Sequence, residues 1–184
     1  GKSTIIKSIA GLLRYEGLIR IQGIPSRELA AKRIFGYVPE IPSMFEALSV
    51  REHIEYIRMA YRSSISDQDV ESLLQRFEMT DKGMMQKVSI LCALAVKPQV
   101  ILFDEPMVGL DPQAIRELKE VILELKSQGV TVLISTHMLE MVEELWDVMF
   151  VMEKARIKAS FRKEDVGDRD LDDLFFEVTG GEKR

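Results

Sequence analysis

Val100-Ile101-Leu102-Phe103-Asp104-Glu105-Pro106 is the stretch from which the fold can be read. Four consecutive apolar residues without alternation describe a strand buried on both faces, the habit of parallel sheets flanked by helices. Asp104 and Glu105 then stand at its carboxyl end, where open α/β sheets collect their ligands.

Working downstream, residues 111–129 read as a helix. Asp111 is its N-cap, Pro112 opens the first turn, Ile115, Leu118, Val121, Ile122 and Leu125 form a core stripe, and Gly129 ends it. Residues 130–135 are a second apolar strand, 138–146 a helix on which Trp146 would pack against the sheet, and 148–152 a strand turning into 156–160. This succession predicts a parallel sheet with right-handed crossovers. Upstream, residues 85–96 predict a helix stopped by Lys97-Pro98, and residues 50–62 and 68–78 two amphipathic helices, with Asp67 placed to cap the second. Residues 34–38 and 18–24 read as strands, and residues 2–13, with Ile5, Ile6, Ile9, Leu12 and Leu13 at helical spacing, as a core-facing helix.

Composition narrows the class. The 184 residues are 46% apolar and 30% charged, enough to bury a core as one domain with an inserted lobe. With a net charge of −5 and 25 scattered Lys and Arg, there is no basic stripe to track nucleic acid. The longest apolar run, residues 88–96, falls well short of the roughly 18 residues that cross a bilayer, so any membrane association is expected to be peripheral. The lone Cys92 sits in an apolar segment and reads as a buried, inert thiol in a reducing, cytoplasmic setting. The methionines read as gap-filling core or loop residues, and the mixed-charge run 162–173 as a solvated face.

Gly1-Lys2-Ser3-Thr4, at the start of a helix, matches the end of a phosphate-binding loop, G-x-x-x-x-G-K-[ST]. In that motif backbone N–H groups and the helix N-terminus hold phosphate, the lysine reaches the β and γ phosphates, and the hydroxyl ligates Mg²⁺. The chain is thus read as starting inside a motif, with the strands that precede such a loop expected to be absent from it. Asp104 and Glu105 complete the pattern: Asp104 is placed to hold Mg²⁺ and its waters, Glu105 to polarise the water that attacks the γ-phosphate.

The ordered set Gly83, Ile101 to Pro106, Gly109-Leu110-Asp111-Pro112 and Ser135-Thr136-His137 resembles the ATP-binding cassette (ABC) family over nearly the whole chain. The resemblance implies an α/β P-loop NTPase fold with a parallel sheet flanked by helices and an inserted α-helical lobe. The corresponding divisions are residues 1–42 (P-loop part of the core), 43–96 (helical lobe with the signature region), 97–160 (Walker B to switch histidine) and 161–184 (tail). By the family pattern Asp111 belongs to the loop at the dimer contact, and His137 is the switch histidine at the γ-phosphate. Glu40, in Gly36-Tyr37-Val38-Pro39-Glu40, stands where most members have glutamine; a carboxylate there can still accept from the catalytic water or ligate Mg²⁺. Ile41, Met44, Phe45 and Leu48 follow it as an apolar set that could seat a coupling helix of a membrane partner. The tail at residues 171–178 is similar to that of single-module bacterial exporters, including the Ecs kind.

The implied activity is ATP hydrolysis by a dimer, or a pair of such subunits, around two MgATP, driving export through integral-membrane subunits from the inner face of the membrane. The implied site is Gly1, Lys2, Ser3, Thr4, Glu40, Asp104, Glu105 and His137 of one subunit with Gly83 of the other. Two alternatives stay open: a non-transport ABC ATPase, and a structural subunit that binds ATP without hydrolysing it. The second is favoured by Asp81, which falls where the family signature has a serine meeting the γ-phosphate. A carboxylate there would repel that phosphate by about 4 kcal/mol at ~4 Å with an effective dielectric of ~20. The interval from Glu40 to Gly83 is also shorter than in similar members by roughly a dozen residues. Both oddities are expected if residues are missing just before Gly83, with Asp81 belonging to an earlier loop.

Overall fold

The computed structural model describes residues 1–77 and 84–180. In chain order it runs α1 (Lys2–Ile9), β1 (Arg20–Ile21), β2 (Ile24–Pro25), α2 (Leu29–Arg33), β3 (Phe35–Val38), α3 (Val50–Tyr61), α4 (Asp67–Arg76) and α5 (Met84–Ala95). It continues with β4 (Val100–Asp104), α6 (Pro112–Ser127), β5 (Thr131–Ser135), β6 (Val148–Glu153), β7 (Arg156–Arg162), α7 (Lys163–Val166) and α8 (Leu171–Thr179).

The centre is a parallel sheet in the order β3-β4-β5, with Phe35 opposite Val100 and Asp104 opposite Ser135. Because side chains alternate across a strand, β4 sends Leu102 to one face and Ile101 and Phe103 to the other. Leu102 joins Ile6 of α1, Phe35 and Ala31 in a small cluster. Ile101 and Phe103, both fully buried, join Leu118 and Ile122 of α6, Ile90 and Leu91 of α5, and Ile54 and Val70 of α3 and α4 in the larger one. The sheet is thus covered on both faces, as the unbroken apolar run of β4 requires, and α3 to α5 share the larger core.

Helix ends follow local chemistry. Asp111 caps α6 by accepting from Ala114 N at 2.9 Å, with Pro112 in the first turn. Ser49 and Ser66 close capping boxes with Glu52 and Asp69. The cap of α4 is therefore Ser66 and not Asp67, which is the first helical residue and pairs with Arg58 at 2.7 Å. Buried His53 accepts from Phe45 N at 3.0 Å through Nε2 and donates from Nδ1 to Ser49 O at 2.9 Å. It thereby ties the loop after Glu40 to α3. Replacing His53 by Ala strands the Phe45 N–H, and the expected loss is about 2 kcal/mol of unfolding free energy in a urea titration.

Four further sequence expectations are corrected. The first helix stops at Ile9, because Gly11 turns left-handed (φ +76°) while Gly11 N and Leu12 N donate back to Ser8 O and Lys7 O; Leu12 and Leu13 are exposed. Residues 18–24 are not one strand: Gln22 and Gly23, both at positive φ, make a two-residue turn that joins β1 to β2. Residues 138–146 form only one 3₁₀ turn, Leu139–Met141. Tertiary partners outcompete the helix there: Lys126 Nζ takes the Leu145 carbonyl at 2.6 Å, while Val142, Leu145 and Trp146 go into the larger core. Trp146 is buried as expected, but not on a helix. Lastly, β6 does not extend the parallel sheet. It pairs antiparallel with β7 across a turn at Lys154 and Ala155, both at positive φ.

Candidate active site

The carboxyl ends of β4 and β5 and the N-terminus of α1 meet. Just beyond β4, Glu105 adopts a left-handed backbone (φ +50°), uncommon for a residue with a side chain and characteristic of sites held in place by their surroundings. Its N–H donates to Ser135 O at 2.8 Å, which fixes the turn against β5. The carboxylate is 8% exposed and fully engaged. Oε2 accepts from His137 N at 3.2 Å, Oε1 lies 3.0 Å from His137 Nδ1 and 3.8 Å from Lys2 Nζ. Lys2 Nζ also donates to Thr136 O at 2.8 Å. Lys2, Glu105 and His137, scattered through the sequence, therefore form one cluster, His137 joined to Glu105 by hydrogen bonds and Lys2 by a longer ion pair. Pairing through Nδ1 leaves His137 Nε2 on the outward side of a mostly exposed ring.

The first turn of α1 carries Ser3 and Thr4 behind Gly1, which supplies no side-chain cap, and has no acidic residue. Its leading N–H groups are those that attract an anion. Both carboxylate oxygens of fully buried Asp104 are without a hydrogen-bond partner, as are the hydroxyls of Tyr37 and Ser135. A buried carboxylate with both oxygens free suits a hard cation, and α1 packs on β4 and β5 beside it. Among the described residues no group of three or more His, Cys, Asp and Glu converges on a metal. A cation here would accordingly take the rest of its ligands from phosphate and water, the habit of Mg²⁺.

The other expected site residues lie apart. Glu40 is exposed after β3, and no hydrogen bond or ion pair joins it to the cluster among the described residues. Burial, then Asp104 and Glu40, raise the Tyr37 hydroxyl above the usual tyrosine range, so Glu40 and Asp104 both bear on Tyr37. Glu40 borders a groove of about 540 Å³ lined also by Lys7, Tyr37, Ile41, Met44 and Cys92. Burial pushes the Cys92 thiol up to about 12, in keeping with an inert residue. Gly83, with Asp81 and the expected break before it, lies outside the described residues.

Asp111 faces α5, where its Oδ2 lies 2.8 Å from Lys87 Nζ. The Lys87 ammonium, and then the Ala114 N–H, hold the Asp111 carboxyl below its ordinary value. Lys87, 2% exposed, is a partner the sequence reading missed, although a lysine inside an apolar helix calls for an anion. Since a lowered folded pKa gives stability that is present above the unfolded value and lost as pH falls through the folded one, Lys87→Met has a defined pH signature. The variant is expected to be less stable than the parent at pH 6, with the difference shrinking below about pH 4. Urea midpoints across that range check it.

The family model described as ABC transporter matches residues 1–108, and an AAA domain model matches 82–143. The chain belongs to the ABC transporter family. The ABC-type transporter ATP-binding protein EcsA of Bacillus subtilis is 36% identical, covering 97% of this chain and 81% of that protein. A solved structure described as the ATP binding subunit of an ABC transporter superposes with a TM-score of 0.86 at 35% identity, over 97% of this chain and 83% of that one. A dimeric ATP-binding cassette in a post-hydrolysis state, bound to ADP and Pi, shares the fold at a TM-score of 0.71 and 21% identity, over 88% of this chain and 80% of that one. The chain is thus an ATP-binding subunit of an ABC transporter with the P-loop NTPase fold, from an ATPase family. The match to EcsA runs over 200 residues, more than the 184 of the whole chain, so the relative has residues without a counterpart here.

Proposed function

We propose that the protein hydrolyses MgATP as one half of a dimer and that the cycle of closure and reopening drives export through separate membrane subunits. The observation that carries this reading is the Lys2–Glu105–His137 cluster at the ends of β4 and β5, beside the α1 N-terminus. In it Glu105 is the general base, His137 orients it and offers Nε2 to the γ-phosphate, and Lys2 leaves Thr136 O for the β and γ phosphates. Gly1, Lys2, Ser3 and Thr4 receive the phosphates at the helix N-terminus. Asp104, Ser3 and Glu40 are the residues that would hold Mg²⁺, which when bound neutralises charge on the phosphate oxygens.

Gly83 and the Asp111 loop contribute from the partner subunit, as the family pattern implies. Residues 43–96 act as a lobe moving against 1–42 and 97–160, with 161–184 as a tail. The groove beside Glu40, which Ile41 and Met44 line, seats a membrane subunit. The tail's likeness to bacterial exporters supports export, and with a membrane partner the subunit would lie peripherally on the inner face of the membrane. Light scattering of the full-length Glu105→Gln variant tests the reading: MgATP is expected to convert monomer to dimer, and a monomer at saturating MgATP refutes it.

A further inference from the structure

Four of the five buried side-chain atoms without a hydrogen-bond partner among the described residues sit together: Tyr37 Oη, both oxygens of Asp104, and Ser135 Oγ. The register explains why. Tyr37 is opposite Leu102, Asp104 follows Leu102 by two residues on the same strand face, and Ser135 is opposite Asp104. All three side chains therefore lie on the face where Leu102 packs under α1, one from each of three adjacent strands. Asp104 is fully buried and Ser135 is 6% exposed. Buried polar groups in native proteins are satisfied, and a cluster of two hydroxyls around a carboxylate satisfies itself through shared water.

We propose that Tyr37 and Ser135 are positioning residues for the cation at Asp104. Their hydroxyls anchor the waters between that carboxylate and the metal and so set which Asp104 oxygen faces it. Mg²⁺ gives up its waters reluctantly and is bound through them, so groups that orient those waters act on metal affinity at one remove, typically by 10- to 100-fold. The inference rests on the proposed metal role of Asp104, and the experiment keeps the two apart.

Mn²⁺, as a stand-in for Mg²⁺, is titrated into the full-length protein with a non-hydrolysable ATP analogue and followed by electron paramagnetic resonance. Tyr37→Phe and Ser135→Ala are each expected to raise the Mn²⁺ Kd by about tenfold, with unchanged analogue affinity in EDTA and an unchanged unfolding midpoint. The inference fails for whichever variant stays within twofold of the parent while Asp104→Asn loses Mn²⁺; the metal role of Asp104 then stands. It fails equally if metal-free analogue affinity falls in parallel, since that marks general damage. An Asp104→Asn protein that binds Mn²⁺ normally overturns the metal role and the inference with it.

Discussion

Glu105→Gln is expected to keep ATP, accumulate as a closed dimer and turn over at least 10²-fold more slowly, the scale on which general-base loss acts. The structure makes this substitution unusually clean. Glutamine has the same shape, tolerates the same left-handed backbone as poorly as glutamate does, and its amide oxygen can still accept from His137 N, now at 3.2 Å. What disappears is the proton acceptor and its charge. The charge matters separately, because Glu105 Oε1 lies 3.8 Å from Lys2 Nζ and competes with phosphate for that ammonium. Neutralising it releases Lys2 to the nucleotide, so ATP affinity should hold or rise while hydrolysis collapses. Phosphate-release kinetics under saturating MgATP, read beside equilibrium binding of ATP, separate the two effects. Near-normal turnover would remove Glu105 from the role of base, and lost binding would make it a structural residue.

The parts of this molecule that could be read from sequence are those where one local rule decides. Four apolar residues before Asp104 have to be a doubly covered strand, and Asp111-Pro112 followed by a core stripe has to start a helix; both stand as expected. The failures share a different cause. Residues 138–146 have helical periodicity, but the core takes Val142, Leu145 and Trp146 and Lys126 takes the Leu145 carbonyl, so only a 3₁₀ turn remains. Periodicity reports which side chains are buried, and here an irregular segment buries the same set. Gln22-Gly23 and Lys154-Ala155 make tight turns with residues that are not the strong markers Asn-Gly or Asp-Gly, so from sequence one hairpin reads as a single strand and the other as an added strand of the parallel sheet. At the site, Lys2, Glu105 and His137 were nameable because a motif carries each. Tyr37 and Ser135 stand inside quoted stretches, yet their sharing a sheet face with Asp104, like the pairing of Lys87 with Asp111, depends on cross-strand register and burial, which spacing along the chain does not contain.

Lys2→Ala in the full-length protein is expected to leave the fold intact and weaken MgATP binding by about 10²- to 10³-fold. The two halves of that expectation have separate grounds. Lys2 is 44% exposed at its side chain, and its present partners are a carbonyl and one oxygen of a carboxylate that His137 also holds. Only the lysine end of this long pair is exposed, and buried Glu105 keeps its His137 contacts without it, so the loss should stay near ~1 kcal/mol and the thermal midpoint should move little. Toward the triphosphate the same ammonium counts for much more. Facing a γ-phosphate oxygen at ~4 Å under an effective dielectric of ~20, one unit charge is worth about 4 kcal/mol, or roughly three decades in Kd. The helix N-terminus retains its N–H groups in the variant, which is why some residual binding is expected rather than none. Lys2→Arg is the informative companion, since it keeps the charge but replaces a compact ammonium by a broad planar fork; it should recover part of the affinity. Isothermal calorimetry with MgATP on the three proteins reads both. Unchanged affinity in Lys2→Ala would mean that Gly1-Lys2-Ser3-Thr4 is an accidental match, and a large drop in thermal midpoint would mean that Lys2 serves the fold through Glu105 and not the phosphate.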